Sequence, residues 1–155
     1  DFSERFEELS DEEQEAVVEL VRLGDLVLMP YKCVVEVCKF QPDELKSFYL
    51  ASESTEFIRA VERAQEMADD LWQDILTSIK KDRSAGNSIL YLNFNNPLIK
   101  RLSGLDNANL QKSCLELIYV QSLLVGHYPL SARESKLLSS GILDLIDMAI
   151  GNEDN

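Results

Sequence analysis

The chain has 155 residues, 45% of them hydrophobic, and sets 15 basic against 28 acidic side chains for a formal charge of −13. That length fits one domain or a domain plus the tail of another, and no run approaches the roughly 20 apolar residues of a membrane span. Phosphate backbones are bound by clustered Lys and Arg, and the one basic cluster, Lys80, Lys81 and Arg83, is interrupted by Asp82 and reads as the cationic end of a helix, so neither nucleic acid nor membrane is an expected partner.

Ser10-Asp11-Glu12-Glu13 has the Ser-x-x-Glu form of a capping box, in which each side chain satisfies the other end's free amide. The spacing of Ala16, Val17, Leu20, Val21 and Leu23 predicts the helix that follows, with Gly24 as its expected stop or bend and Pro30 ending whatever remains. Cys33 to Phe40 is rich in β-branched residues and reads as a strand, with Val35, Val37 and Lys39 on one face. Pro42 closes it, and Glu44 to Leu50 stays ambiguous. Ser54 or Thr55 caps the longest predicted helix, which runs to about Lys81. Its Phe57, Val61, Ala64, Ala68, Leu71 and Ile75 alternate steps of four and three, and Ile58, Trp72, Leu76 and Ile79 widen the stripe.

Ser84 to Asn87 is a turn, and Ile89 to Phe94 a second strand. Asn96 before Pro97 starts a short helix, since proline at the first position loses no bond, and Gly104 stops it. Asp106 or Asn107 caps the next helix, and Ser131-Ala132-Arg133-Glu134 is a second capping box with Leu130 as its staple residue. Without βαβ alternation or an internal repeat, the class is α+β: a small sheet of two or three strands packed by a long helix, then a C-terminal helical hairpin.

Few residues advertise chemistry. There is no glycine-rich phosphate loop, and His127, between Gly126 and Tyr128, is the only histidine. The pairs Asp69-Asp70 and Glu12-Glu13 sit on charged helices and read as solvated faces, and Trp72 reads as core. Cys33, Cys38 and Cys114 are an odd count without a C-x-x-C, and read as free, buried thiols in a reducing compartment, with Cys33 and Cys38 on opposite strand faces. No catalytic, cofactor-binding or metal residue is expected. The first residue is Asp1 rather than Met and no leader follows it, which reads as a cytoplasmic piece of a longer protein.

The last third is different. From Leu110 to Val125 apolar residues occupy more than the roughly 100° stripe that one-sided packing needs, and only Glu116, Gln121 and Ser122 are polar between Cys114 and Val125. The following segment repeats this with Leu137, Leu138, Ile142, Leu143, Leu145, Ile146, Ala149 and Ile150. Such a hairpin needs another chain to cover it, and two hairpins make a four-helix bundle. The expected homodimer interface is Leu110, Cys114, Leu117, Ile118, Gln121 and Leu124 on the first helix with Leu138, Ile142, Leu145, Ile146 and Ala149 on the second. One of Leu145 and Ile146 should face the protomer's own core and the other the partner.

Within this segment, Leu117-Ile118-Tyr119-Val120-Gln121-Ser122-Leu123-Leu124 resembles the Leu-Leu-Tyr-Asp-Gln-Ala-Leu-Leu-type motif of the C-terminal domain of the heat shock protein 90 chaperone family. The resemblance reaches back to Leu92-Asn93-Phe94-Asn95-Asn96-Pro97-Leu98-Ile99-Lys100-Arg101-Leu102 and forward to Ile150, with a weaker match at Val35 to Phe40. It covers about two thirds of the chain. Membership would imply an ATP-dependent chaperone that acts on unfolded client proteins, with protomers joined through the last two helices. ATP and magnesium would bind an N-terminal domain outside these residues. Residues 1–50 would then be the tail of the middle domain and 51–155 the dimerisation domain. The sequence departs from the family in having Val120 where an acidic residue is usual, and in a short connection before Ile89 where relatives carry a client-touching helix. The shortness of that connection points to a divergent, bacterial-type branch, and the given residues end in Gly151-Asn152-Glu153-Asp154-Asn155 rather than a Met-Glu-Glu-Val-Asp tail. The rival reading is a free-standing acidic helical adaptor that uses the same apolar surface for a different protein.

Overall fold

The computed structural model describes residues 6–52, 56 and 86–151. Apart from Glu56, the longest helix expected from sequence, with Trp72, Asp69-Asp70 and the Lys80, Lys81, Arg83 cluster, lies outside them, as do Ser84 and Ala85 of the turn before Ile89.

Helix α1 spans Asp11–Leu28 and begins with the expected capping box: Glu13 N–H donates to Ser10 Oγ (3.2 Å) and Ser10 N–H to Glu13 Oε1 (3.1 Å). Gly24 does not stop it. A Cβ there would lie 2.5 Å from Val35 Cγ2, so the glycine lets the helix lie close against the neighbouring strand, and helical bonding continues to Leu28. Pro30 then falls in a 3-10 turn, Met29–Tyr31, and Lys32 (φ 53°) turns the chain into the sheet.

Strand β1 is Cys33–Cys38, β2 is Ser47–Leu50 and β3 is Ser88–Asn93. They form one sheet in the order β1-β3-β2, with β1 parallel and β2 antiparallel to β3. The ambiguous segment 44–50 therefore ends in a strand. The division expected at residue 50 falls between β2 and β3, which are paired strands of this sheet. Alternation places Cys33, Val35, Tyr49, Leu90 and Leu92 on one face, all buried. The outgoing end is tied by Asn93, fully buried, whose Nδ2 donates to Phe40 O and Leu45 O and whose Oδ1 accepts from Phe40 N–H and Asn95 N–H.

Helix α2 is Pro97–Ser103, capped by the Asn96 side chain and closed at Gly104. Helix α3, Ala108–Val125, is capped by Asn107, whose Oδ1 accepts from Leu110 N–H. Helix α4 is Ala132–Gly151. The core joins Leu20 and Leu28 of α1 to the buried strand residues, to Ile99 and Leu102 of α2 and to Leu115, Ile118, Tyr119, Val120 and Leu123 of α3. The α+β class holds. No helix among the described residues is long and apolar enough to cross a membrane.

Candidate functional site

The hairpin of α3 and α4 is set by three local devices. Gly126 caps α3, His127 adopts a left-handed conformation (φ 61°) and Tyr128 N–H returns to Leu123 O at 2.9 Å. His127 is an exposed turn residue. The Tyr128 ring stands edge-on to Tyr49 with centroids 4.9 Å apart, which fixes the turn against β2. Next comes the Ser131 capping box: Ser131 N–H donates to Glu134 Oε1 and Glu134 N–H to Ser131 Oγ. The other oxygen of Glu134, a buried carboxylate, accepts from the Tyr119 hydroxyl on α3. One acid thus both caps α4 and fastens it to the middle of α3. The capping box is legible in the sequence; the tie to Tyr119 is not, because nothing local marks which residue Glu134 meets.

About two turns further on, α4 crosses α3 at Gly141. A Cβ at that position would lie 2.9 Å from Leu117 Cδ2, so the missing side chain sets how closely the helices approach. Beyond this crossing α4 covers little. Ile142, Ile146 and Ile150 are 45%, 49% and 62% exposed, Ala149 is exposed, and steps of four, three and one put the four on a single stripe. Leu143 extends it at 63%.

Leu145 points differently. It joins Leu98, Arg101, Leu102, Leu105, Cys114, Leu117 and Ile118 around a groove of about 440 Å³ between α2, α3 and α4. Of the α3 residues expected at an interface, Leu110, Cys114 and Leu117 are half-buried and Gln121 and Leu124 are exposed. Ile118, at 8%, belongs to the protomer's core and has the least surface to offer. Leu138 is half-buried against α3. Leu98 and Leu105 join the groove from α2 and the loop after it, a contribution that no pattern within the hairpin could have revealed.

The chemistry available is that of apolar contact. Burial pushes the Cys114 thiol up, away from the thiolate that nucleophilic work requires. Burial also raises the Glu116 carboxyl, with Asp144 of α4 acting the same way and Lys112 opposing both. None of the three cysteines is in a disulfide: Cys33 is buried, and Cys38 and Cys114 are half-buried. No three His, Cys, Asp or Glu side chains among the described residues gather closely enough to hold a metal ion. No protein-family model matches the chain, and no curated protein matches it significantly.

Proposed function

We propose that the α3–α4 hairpin is the two-fold dimerisation element of a heat shock protein 90-like, ATP-dependent chaperone of the cytoplasm. The observation that carries the reading is the stripe Ile142, Ile146, Ala149 and Ile150, exposed on a helix whose other end is tied to the protomer by Tyr119 and Glu134. A rigidly held apolar stripe is suited to a second copy of itself, since two-fold symmetry makes the same patch serve both sides. The sequence resemblance at Leu117 to Leu124 supplies the chaperone part of the proposal. In this reading the domain contributes no chemistry. It raises the effective concentration of two ATPase arms for each other, so that their closure becomes intramolecular. Clients are the further partners, and ATP with magnesium binds another domain.

Light scattering across a micromolar concentration series tests this. Wild type should be a dimer, because a standard interface of about 800 Å² per partner leaves a net driving force after association entropy is subtracted. Ile146→Glu would bury an unpaired carboxylate on each side of the axis, at a cost of roughly 3 kcal/mol or more, and should give a folded monomer. Leu145→Glu puts the charge into the groove of the same protomer and should weaken the fold instead. A wild-type monomer at high micromolar concentration overturns the proposal and leaves the adaptor reading in its place.

A further inference from the structure

β1 is an edge strand whose outer rim is open in its middle. Its ladder to β3 uses alternate residues: Ser88 N–H donates to Lys32 O, and Phe94 N–H to Cys38 O. With Cys38 opposite Asn93, the backbone groups of Val34, Glu36 and Cys38 point at β3, and those of Val35, Val37 and Lys39 point away. Both ends of this outer row are closed. Lys39 exchanges two backbone bonds with Glu7, at 2.9 and 3.0 Å, and the Asp25 carboxylate accepts Val35 N–H at 2.7 Å. Between them Val35 C=O, Val37 N–H and Val37 C=O have no partner among the described residues. Open edges of this kind are templates for another strand.

A groove of about 680 Å³ runs along that gap and wraps around the strand. Val17, Val18 and Val21 of α1 form its wall on the side of Val35 and Val37, while Phe6 and Tyr91 line it on the side of Glu36. Its rim carries the exposed carboxylates Glu7, Glu8 and Glu36, and among the described residues no Lys or Arg lines it. The nearby Lys39 is paired with Glu13 at 2.9 Å.

We propose that this groove binds an extended, cationic polypeptide segment by strand addition to β1. A residue of the segment opposite Val37 exchanges two backbone bonds with it, and a neighbouring amide donates to Val35 C=O. Side chains of one parity then fall on the Val17, Val18 and Val21 wall, and the basic ones alternating with them lie on the side of Phe6, Tyr91 and the Glu36 carboxylate. The charge selects the occupant: a second copy's β1 would set Glu7, Glu8 and Glu36 against the same residues, which repel. The inference is independent of dimerisation, since no residue of α3 or α4 lines the groove.

The probe is a fluorescein-labelled heptapeptide of alternating Lys and Val, followed by anisotropy at low salt. Saturable one-to-one binding is expected. Val37→Pro removes an N–H that the β1–β3 ladder does not use and should weaken binding about tenfold. Asp25→Ala uncovers Val35 N–H and should tighten binding severalfold, although it deletes a negative charge that nonspecific attraction would miss. A probe N-methylated at alternate amides should fail to bind wild type, and this result depends on no variant's folding. Absence of saturable binding overturns the proposal, as does equal affinity for the methylated and parent peptides.

Discussion

Helices α3 and α4 look alike in composition, and the fold treats them in opposite ways. α3 buries Leu115, Ile118, Tyr119, Val120 and Leu123 against α1 and the sheet, whereas the only residues that α4 buries fully are Glu134 and Gly141, neither of them a large hydrophobe. Apolar content says that a surface needs cover; position in the fold says who supplies it. α3 is covered from within because its turn and caps lay it across β2 and α1. α4 is held at its first turn, at its crossing point and by the half-buried Leu137, Leu138 and Leu145, and its second half projects its apolar stripe outward.

The largest effect that separates the two belongs to the core of α3. Leu115→Ala deletes a fully buried side chain and should cost about 3 kcal/mol of unfolding free energy. Because the loss is inside the protomer, it should appear equally at low and high protein concentration in urea titrations. Ile146→Ala, the same kind of truncation on α4, should leave a dilute sample almost unchanged and lower stability only where the dimer forms. If the two variants lose equal stability in dilute solution, the contrast between the helices is wrong.

Next in size is the crossing itself. Gly141→Leu places a side chain where even a Cβ meets Leu117 at 2.9 Å, and should cost about 2 kcal/mol through overpacking. It should also swing the exposed half of α4 away from its position over the groove, so the dimer in light scattering should weaken along with the fold. A variant of full stability would show that Leu117 moves aside without loss.

Much of this was legible in the sequence and some of it could not be. The Ser10 and Ser131 capping boxes, the Asn96-Pro97 start and the stop at Gly104 are local chemistry, and each acts where the residues stand. Gly24 misleads because a helical glycine has two uses, ending a helix or letting it touch a strand, and only the position of Val35 decides between them. Asn93 is invisible for a related reason. It ends an apolar strand and gathers the loop from Phe40 to Leu45, 53 to 48 residues earlier in the chain. Of the candidate interface, the stripe on α4 could be counted from periodicity. The choice between Leu145 and Ile146 needed the groove formed with Leu98 and Leu105.

Smaller again is the tie that holds α4 at its start. Tyr119→Phe removes the hydroxyl that donates to Glu134 and should cost about 1–2 kcal/mol, since a hydrogen bond to a buried charged group is lost while the ring packing stays. Rings at Tyr31 and Tyr49, with centroids 5.3 and 6.0 Å from that of Tyr119, are undisturbed. Amide exchange should then quicken in the first turns of α4 more than in α3. Uniform quickening along both helices would mean that the bond supports the whole core.

The smallest effect probes the seam between the helices through pH. Glu116 on α3 is half-buried, and burial raises its carboxyl above the ordinary value of 4.5, with Asp144 pushing in the same direction and Lys112 pulling back. A raised carboxyl means the fold favours the protonated form. Its contribution is therefore present below the pKa of the unfolded chain and is lost as pH rises through the folded value. At pH 7 the charged form is a burden, so Glu116→Gln should stabilise the protein, by less than about 1 kcal/mol because solvent screens a partly exposed group. That gain should shrink as pH falls towards 4. Glu13 behaves oppositely, since its bond to Lys39 holds its carboxyl low and its contribution fades as pH falls. Comparing Glu116→Gln with wild type at each pH and at fixed protein concentration cancels that background. A Gln variant less stable than wild type at pH 7 would mean that the Glu116 charge is paired in the assembled molecule, making this seam part of what the second copy touches.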